Sequence, residues 1–327
     1  MSQTEAIKSP FRSFWNERGR KFFKKYGIMI SFLIITVIIS IITPKFLSFR
    51  NIMNILRQSS IVGIMAIGTT FVIIGGDIDI SVGATLALAA AVVLKLQTVM
   101  HWGFAIPIAL LVGILIGLIN GILRAKVKIV AIIATLGTMV IVRGLVFIYT
   151  GGYPITGASE GFKFIGSGYL LGIPFPIILL FILVAFWQFI LSKTRTGRYA
   201  CAIGGNKEAT RLSGVPVDFY HILTFTIGGL MAALAGIVYA SRLTSVIPKA
   251  GDGMELEAIA ATVIGGTSIS GGEGSVVGTL VGVLLLTVIY NVFNLLGVQT
   301  YVQLIARGAI ILVVVGIDSY SRYGKNN

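Results

Sequence analysis

Long stretches of apolar residues alternate with short polar breaks along almost the whole chain. They fall at about 27–43, 52–75, 80–100, 104–123, 129–150, 175–191, 218–240, 255–270, 274–297 and 300–317. A helix rising 1.5 Å per residue needs roughly 17–25 residues to cross a hydrocarbon layer ~30 Å thick, and the runs have about that length. The pattern predicts an all-α integral membrane protein, a polytopic bundle of about ten transmembrane helices. The first run, Gly27 to Thr43, follows a basic stretch without a small-residue cleavage site after it, so it reads as a retained helix.

Composition agrees with lipid as the solvent. Hydrophobic residues make up 56% of the 327 and charged residues only 12%, against roughly 25% charged in a soluble domain. Forty glycines would weaken water-exposed helices, but in a bilayer small residues let backbones approach. They recur every fourth position in Gly113, Gly117, Gly121; in Gly228, Ala232, Gly236; in Gly274, Gly278, Gly282; and in Gly83, Ala87, Ala91. Such stripes serve tight packing, and they would equally let helices slide.

The net charge of +14 changes the picture only through its placement. Lys and Arg sit between the apolar runs, which is the positive-inside pattern and not a phosphate-binding groove, so no nucleic-acid partner is expected. The 1–26 segment carries Lys8, Arg12, Arg18, Arg20, Lys21, Lys24 and Lys25 among Phe and Trp residues, which would suit an anionic lipid surface but is read as a cytoplasmic topogenic tail with no further role. With that tail inside, Arg124, Lys126, Lys128, the 192–217 loop and the C-terminal Arg322 and Lys325 all fall on the cytoplasmic side. Lys45, Arg50 and Arg57 then lie outside or at the interface, against the trend. A single Cys201 excludes an intrachain disulfide, and no Cys/His spacing suits a metal.

Four features carry candidate chemistry. In the 192–217 loop Asn206 is placed to cap a short helix, Glu208 and Arg211 suit its two ends, and Gly214 with Pro216 stops it. Its face of Ala209, Leu212 and Ser213 is too small for a core and fits a partner's groove or an ordinary loop helix, with Gly204-Gly205 as a flexible joint. Asp77 and Asp79, in Gly75-Gly76-Asp77-Ile78-Asp79-Ile80-Ser81-Val82-Gly83, need partners or water, because a carboxylate at membrane depth costs at least ~2.5 kcal/mol. Either Asp79 or Ser81 is placed to cap the following helix, and alternation puts Asp77, Asp79 and Ser81 on one side if the stretch is extended. Glu255 and Glu257 open an apolar run, where the helix dipole favours them. Finally, Asn120, Thr135, Thr138, Asn291 and Asn294 can bond between helices or line a wet path, while Lys95, Arg143 and Arg307 are expected to snorkel to headgroups.

Gly75-Gly76, Ser81-Val82 and Thr85-Leu86 echo Gly265-Gly266, Ser275-Val276 and Thr279-Leu280 with a four-residue insertion, as in duplicated transporters. No P-loop, G-x-S-x-G or H-E-x-x-H occurs, and His101 and His221 have no companions that would make a nucleophile or metal site. Any ATPase must be a separate chain.

Gly76 to Gly83 resembles the G-x-x-D-L-S-V-G segment of carbohydrate ABC permeases of the ribose type, with Asp77 where that family often has a small or uncharged residue. Thr196-Gly197-Arg198, Ala202 to Asn206, Ala209 and Leu212-Ser213-Gly214 resemble their cytoplasmic coupling loop. Glu255 to Ala261, Val263 to Ser268 and Gly271 to Gly274 resemble their third conserved block, with Glu257 replacing an Asp, and Asn294 to Val298 agrees with ribose permeases. The resemblance covers about 44–318. The charge pattern makes the basic tail (1–26), which lies outside the resemblance, and the C-terminal tail (319–327) both cytoplasmic, flanking a permease domain (27–318) that contains the coupling loop, and the resemblance places the chain in the bacterial inner membrane. It further implies a monosaccharide importer, ribose foremost, that binds no cofactor itself. ATP and magnesium would sit on a cytoplasmic ATP-binding subunit, an extracytoplasmic sugar-binding protein would deliver substrate, and a second permease copy would complete the unit within membrane lipid. ATPase coupling falls to Thr196, Gly197, Arg198, Gly204, Asn206, Ala209, Leu212, Ser213 and Gly214. Pathway or gating roles fall to Asp79, Ser81, Asn120, Thr138, Thr267, Ser268, Asn291 and Asn294. The runner-up is an ATPase-independent channel or ion-coupled carrier for a small polar solute.

Overall fold

The computed structural model describes residues 33, 34, 36, 37, 39–41, 43 and 45–326. The basic tail and most of the first apolar run lie outside the described residues. Among the described residues six helices are long and apolar enough to span a bilayer: α1 (Phe49–Ile74), α3 (Trp102–Ala125), α4 (Ala131–Thr150), α6 (Phe175–Lys193), α9 (Val217–Leu243) and α11 (Val276–Leu295). The remaining helices are α2 (Val82–Leu96), α5 (Glu160–Ser167), α7 (Arg195–Gly205), α8 (Lys207–Leu212), α10 (Met254–Ile264) and α12 (Thr300–Asn326). The α12 backbone stays helical to Asn326, past the end of the last apolar run.

Helix α9 is the hub, packed against α3, α1 and α2. The stripes make this possible. Gly113, Gly117 and Gly121 of α3 lie against the backbone of Gly229, Phe225 and Ile222 of α9, and Gly236 lies on the Leu86 carbonyl, so that a side chain at any of them would overlap main-chain atoms. Gly278 and Gly282 of α11 contact Gly265 and the Ala261 carbonyl in the same way. In this structure the stripes are packing seams. Burial separates core from rim: the most apolar window of α1 is 89% buried and that of α6 only 28%, so α6 turns its side chains outward.

Two of the expected crossings are helical over only part of their length. Gly75 closes α1 and Gly76 adopts φ +84°, after which the chain runs non-helically to Ser81 before α2 begins. Gly265 closes α10, Gly266 adopts φ +89°, and the chain is again non-helical until Ser275, before α11. Each stretch joins two apolar runs, and a left-handed glycine ends the helix there. The repeated sequence elements thus share one local geometry.

Around the far end of α9, strand β1 (Ile155–Thr156) pairs antiparallel with β4 (Ser245–Val246), in register Ile155 with Val246. Strands β2 (Tyr169–Leu170) and β3 (Ile173–Pro174) form a small hairpin. Arg57 lies over the Tyr169 ring at 4.8 Å, which sets it beside the 151–174 loop.

Candidate functional site

The non-helical Gly75–Ser81 segment threads between α9, α3 and α4, and it meets polar groups from all three. Asp77 is buried; its Oδ1 accepts from Arg124 Nε at 2.6 Å, and its Oδ2 lies 2.9 Å from His221 Nδ1. That second approach has ion-pair distance without hydrogen-bond direction, and neither His221 nitrogen has a hydrogen-bond partner. Asp79 Oδ1 accepts from Ser81 N at 2.8 Å and Ser81 Oγ at 2.6 Å, while Asn120 Nδ2 donates to Ser81 Oγ at 2.8 Å. Asp79 is therefore the group that caps α2, and Ser81 makes no cap bond of its own. Thr135 holds the backbone, accepting from Ile80 N at 3.2 Å and donating to Ile78 O at 3.4 Å.

The candidate pathway residues separate into distinct places. Asp79, Ser81 and Asn120 form one network. Thr138 is buried on α4 outside it. Thr267 and Ser268 are buried in the second non-helical stretch, and their hydroxyls lack partners. Asn291 exchanges two 2.9 Å hydrogen bonds with Asn51, and Asn294 is exposed, accepting from Gln303 at 3.0 Å. Among the described residues no group of three or more His, Cys, Asp or Glu side chains is arranged to hold a metal.

In the loop that follows α6, Asn206 Oδ1 accepts from Ala209 N at 2.9 Å, Glu208 pairs with Arg211 at 2.7 Å, and Gly214 takes φ +80° just past the end of α8. The hydrogen bond from Arg211 holds the Glu208 carboxyl below its usual range. Ala209, Leu212 and Ser213 are exposed while Thr210 turns inward, and Leu212 is 78% exposed. Gly204-Gly205 is not a flexible joint: both residues are the last turn of α7, and Gly204 is wedged against the Ile74 carbonyl. A Cβ on Gly271 would stand 2.8 Å from Gly76 Cα and 2.9 Å from Gly204 Cα, and Gly272 N donates to Ile74 O at 2.9 Å. Three glycine pairs, distant in sequence, meet at one point, where only side-chain-free backbone fits.

Residues 51–315 match the family described as the permease component of the branched-chain amino acid transport system. The chain belongs to this permease family. It is 45% identical to the ribose import permease of Haemophilus influenzae over 296 residues, 89% of this chain and 92% of that protein. It is 46% identical to the ribose import permease of Bacillus subtilis over 301 residues, 90% and 92% of the two chains. An L-arabinose ABC transporter permease of Azospirillum brasilense is 37% identical over 298 residues, 90% of this chain and 88% of that one. No solved structure matches the chain. The permease is a multi-pass protein of the bacterial inner membrane and a transport component, not an ATPase.

Several partnerships in the permease escape a reading of the sequence. The Asp77 carboxylate lies at ion-pair distance from His221, and Arg124 is an ion-pair partner as well as a topogenic charge. Arg143 does not snorkel: it donates to Pro248 O at 2.9 Å and Ala250 O at 2.8 Å and pairs with Asp252. Arg307 pairs with Glu257 at 2.5 Å over the Tyr290 ring, so Glu257 answers a cation as well as a helix dipole. Lys95 donates to the Tyr149 carbonyl at 2.7 Å. A desolvated charge needs an opposite charge or several dipoles, which was the available signal; the identity of the partner was not.

Proposed function

We propose that the permease is the membrane subunit of an ATP-driven monosaccharide importer, with ribose as the substrate. The observation that carries this is the 45–46% identity to ribose import permeases over about nine-tenths of each chain. In this reading the six long helices are joined in the bilayer by 27–43, α2 with its extended lead-in, α10 with its extended exit, and α12, giving ten crossings with both termini cytoplasmic. A second copy completes the unit, and a sugar-binding protein delivers substrate from outside. A cytoplasmic subunit holds ATP and magnesium. Ala209, Leu212 and Ser213 form the face that docks on it, with Thr196 and Arg198 at the rim, Asn206 and Gly214 fixing the helix ends, and Gly197 and Gly204 seating α7 on the bundle. The Asp79–Ser81–Asn120 network, Thr138, Thr267, Ser268, Asn291 and Asn294 serve the path or its gating. Neutral hydroxyl and amide groups suit a polyol, whereas an unpaired charged solute would incur several kcal/mol there.

Reconstitution tests this. Proteoliposomes holding the permease, its ATPase and its binding protein should concentrate ribose with ATP, and the permease alone should not. Ala209→Arg places a bulky hydrated group on the docking face while changing stability by no more than about 0.5 kcal/mol. Normal membrane levels with lost ATPase co-purification are expected; wild-type uptake and association would remove the docking role, and concentrative uptake without ATPase would remove the importer reading.

A further inference from the structure

A cleft of about 310 Å³ opens beside α4, lined by Val140, Arg143 and Phe147 on one side and by Lys249, Asp252 and Glu255 on the other. Resting on the importer reading above, we infer that this cleft is a binding station for a neutral monosaccharide on its way through the permease. Its volume lies at the small end of the ~300–1,000 Å³ spanned by ligand pockets, a size for one sugar ring.

Its chemistry is that of polyol recognition. Carboxylates accept from hydroxyls, an ammonium donates to them, and Phe147 with Val140 offers an apolar wall for the C–H face of a ring. Arg143 is paired with Asp252 and bonded to two carbonyls of the turn, which leaves Lys249 and Glu255 as the charged groups that meet a ligand, a balanced pair without a net field that would hold an ion. A second cavity, of about 240 Å³ at the opposite end of α4, is also charge-balanced, with Asp77 and Arg124 in its wall.

The cleft is also preformed. Arg143 bonds two carbonyls of the 248–252 turn, Gly251 and Gly253 take φ of +76° and +81° there, and Glu255 accepts from Gly253 N at 3.1 Å. A site held open before the ligand arrives saves ordering on binding. Its opening is on a flank of α4 where Val140 is 65% exposed. Charged side chains on a flank at membrane depth face water or protein in preference to acyl chains, so a sugar reaches the cleft only where water does, which the thiol below reads directly.

Val140→Cys, made with Cys201→Ser so that it is the only thiol, reports on the cleft in the complete transporter reconstituted in lipid. Saturating ribose should slow its reaction with a charged, membrane-impermeant thiol reagent about tenfold, as expected when a bound ligand occupies some nine-tenths of sites, and leucine should not. Lys249→Gln should raise the KM for ribose uptake about fivefold with little change in maximal rate, the loss of about one hydrogen bond made in the bound state. A thiol that never reacts would show a lipid-facing flank and overturn the proposal. So would a thiol indifferent to ribose in a transporter that imports it, or one shielded by the binding protein without sugar. Protection by another sugar that is imported when ribose is not would retain the cleft and overturn the choice of ribose.

Discussion

The two non-helical stretches, Gly75–Ser81 and Gly265–Ser275, begin with the same glycine pair and end on the same Ser-Val, yet they are fixed by different forces. The first is held by side chains: Asp77 by Arg124 and His221, Asp79 by Ser81, and the Ile78 and Ile80 backbone by Thr135. The second contains no Asp; its one acid, Glu273, enters through its backbone carbonyl, which accepts from Ser268 N at 2.9 Å. That stretch is fixed by main-chain bonds and by contacts that admit no side chain at Gly271. One backbone design can thus be locked by charge or by close approach, and the two locks should fail differently.

The largest effect is expected from Asp77→Ala. Removing one member of a buried ion pair typically destabilises by about 3–5 kcal/mol, and the partial solvent access of Arg124 places this case near the lower figure. Thermal unfolding of the purified permease in detergent reads it; an unchanged melt would mean that charge does not fix the first stretch. Gly271→Val should follow. A side chain there meets the backbone of Gly76 and Gly204 and sits at φ +85°, a strain of about 1–3 kcal/mol. Because it pushes α7 off α1, it should also reduce sugar-stimulated ATP hydrolysis more than its melting shift explains. Equal loss of both would make the glycine contact a matter of stability alone. The smallest and sharpest comparison is Ser81→Ala against Ser268→Ala. Ser81 bonds Asp79 and Asn120, so its loss should cost about 1–3 kcal/mol, whereas Ser268, whose hydroxyl has no partner, should change the melt by less than about 0.5 kcal/mol or stabilise slightly. Equal shifts would erase the contrast between the stretches.

What could be read from the residues followed the range of the forces involved. The cap at Asn206, the Glu208–Arg211 pair and the stop at Gly214 are local, so α8 was legible to the residue. The glycine stripes were legible as smooth faces, although not which carbonyls they would meet. Apolar runs gave depth in the membrane but not backbone conformation, because an extended chain and a helix are equally greasy; hence α2 and α10 are shorter than their runs. The partners of Asp77, Arg143 and Arg307 come from distant elements. Their need for a counter-charge was visible in the residue type, and the identity of the counter-charge exists only once the helices are packed. Gly204 was misread for the same reason: a glycine chosen for closeness looks, in sequence, like one chosen for freedom.

The pairing of Ile155 with Val246 also constrains how the permease is made. The two strands are separated by about 90 residues, and at 5–20 residues per second a ribosome takes on the order of 5–20 s to supply the second after the first. During that interval α6 and α9 must be threaded into the bilayer while the loop that will be clasped waits unpaired. The strand joint therefore closes late in biogenesis, only after the second strand and everything between the two have been made.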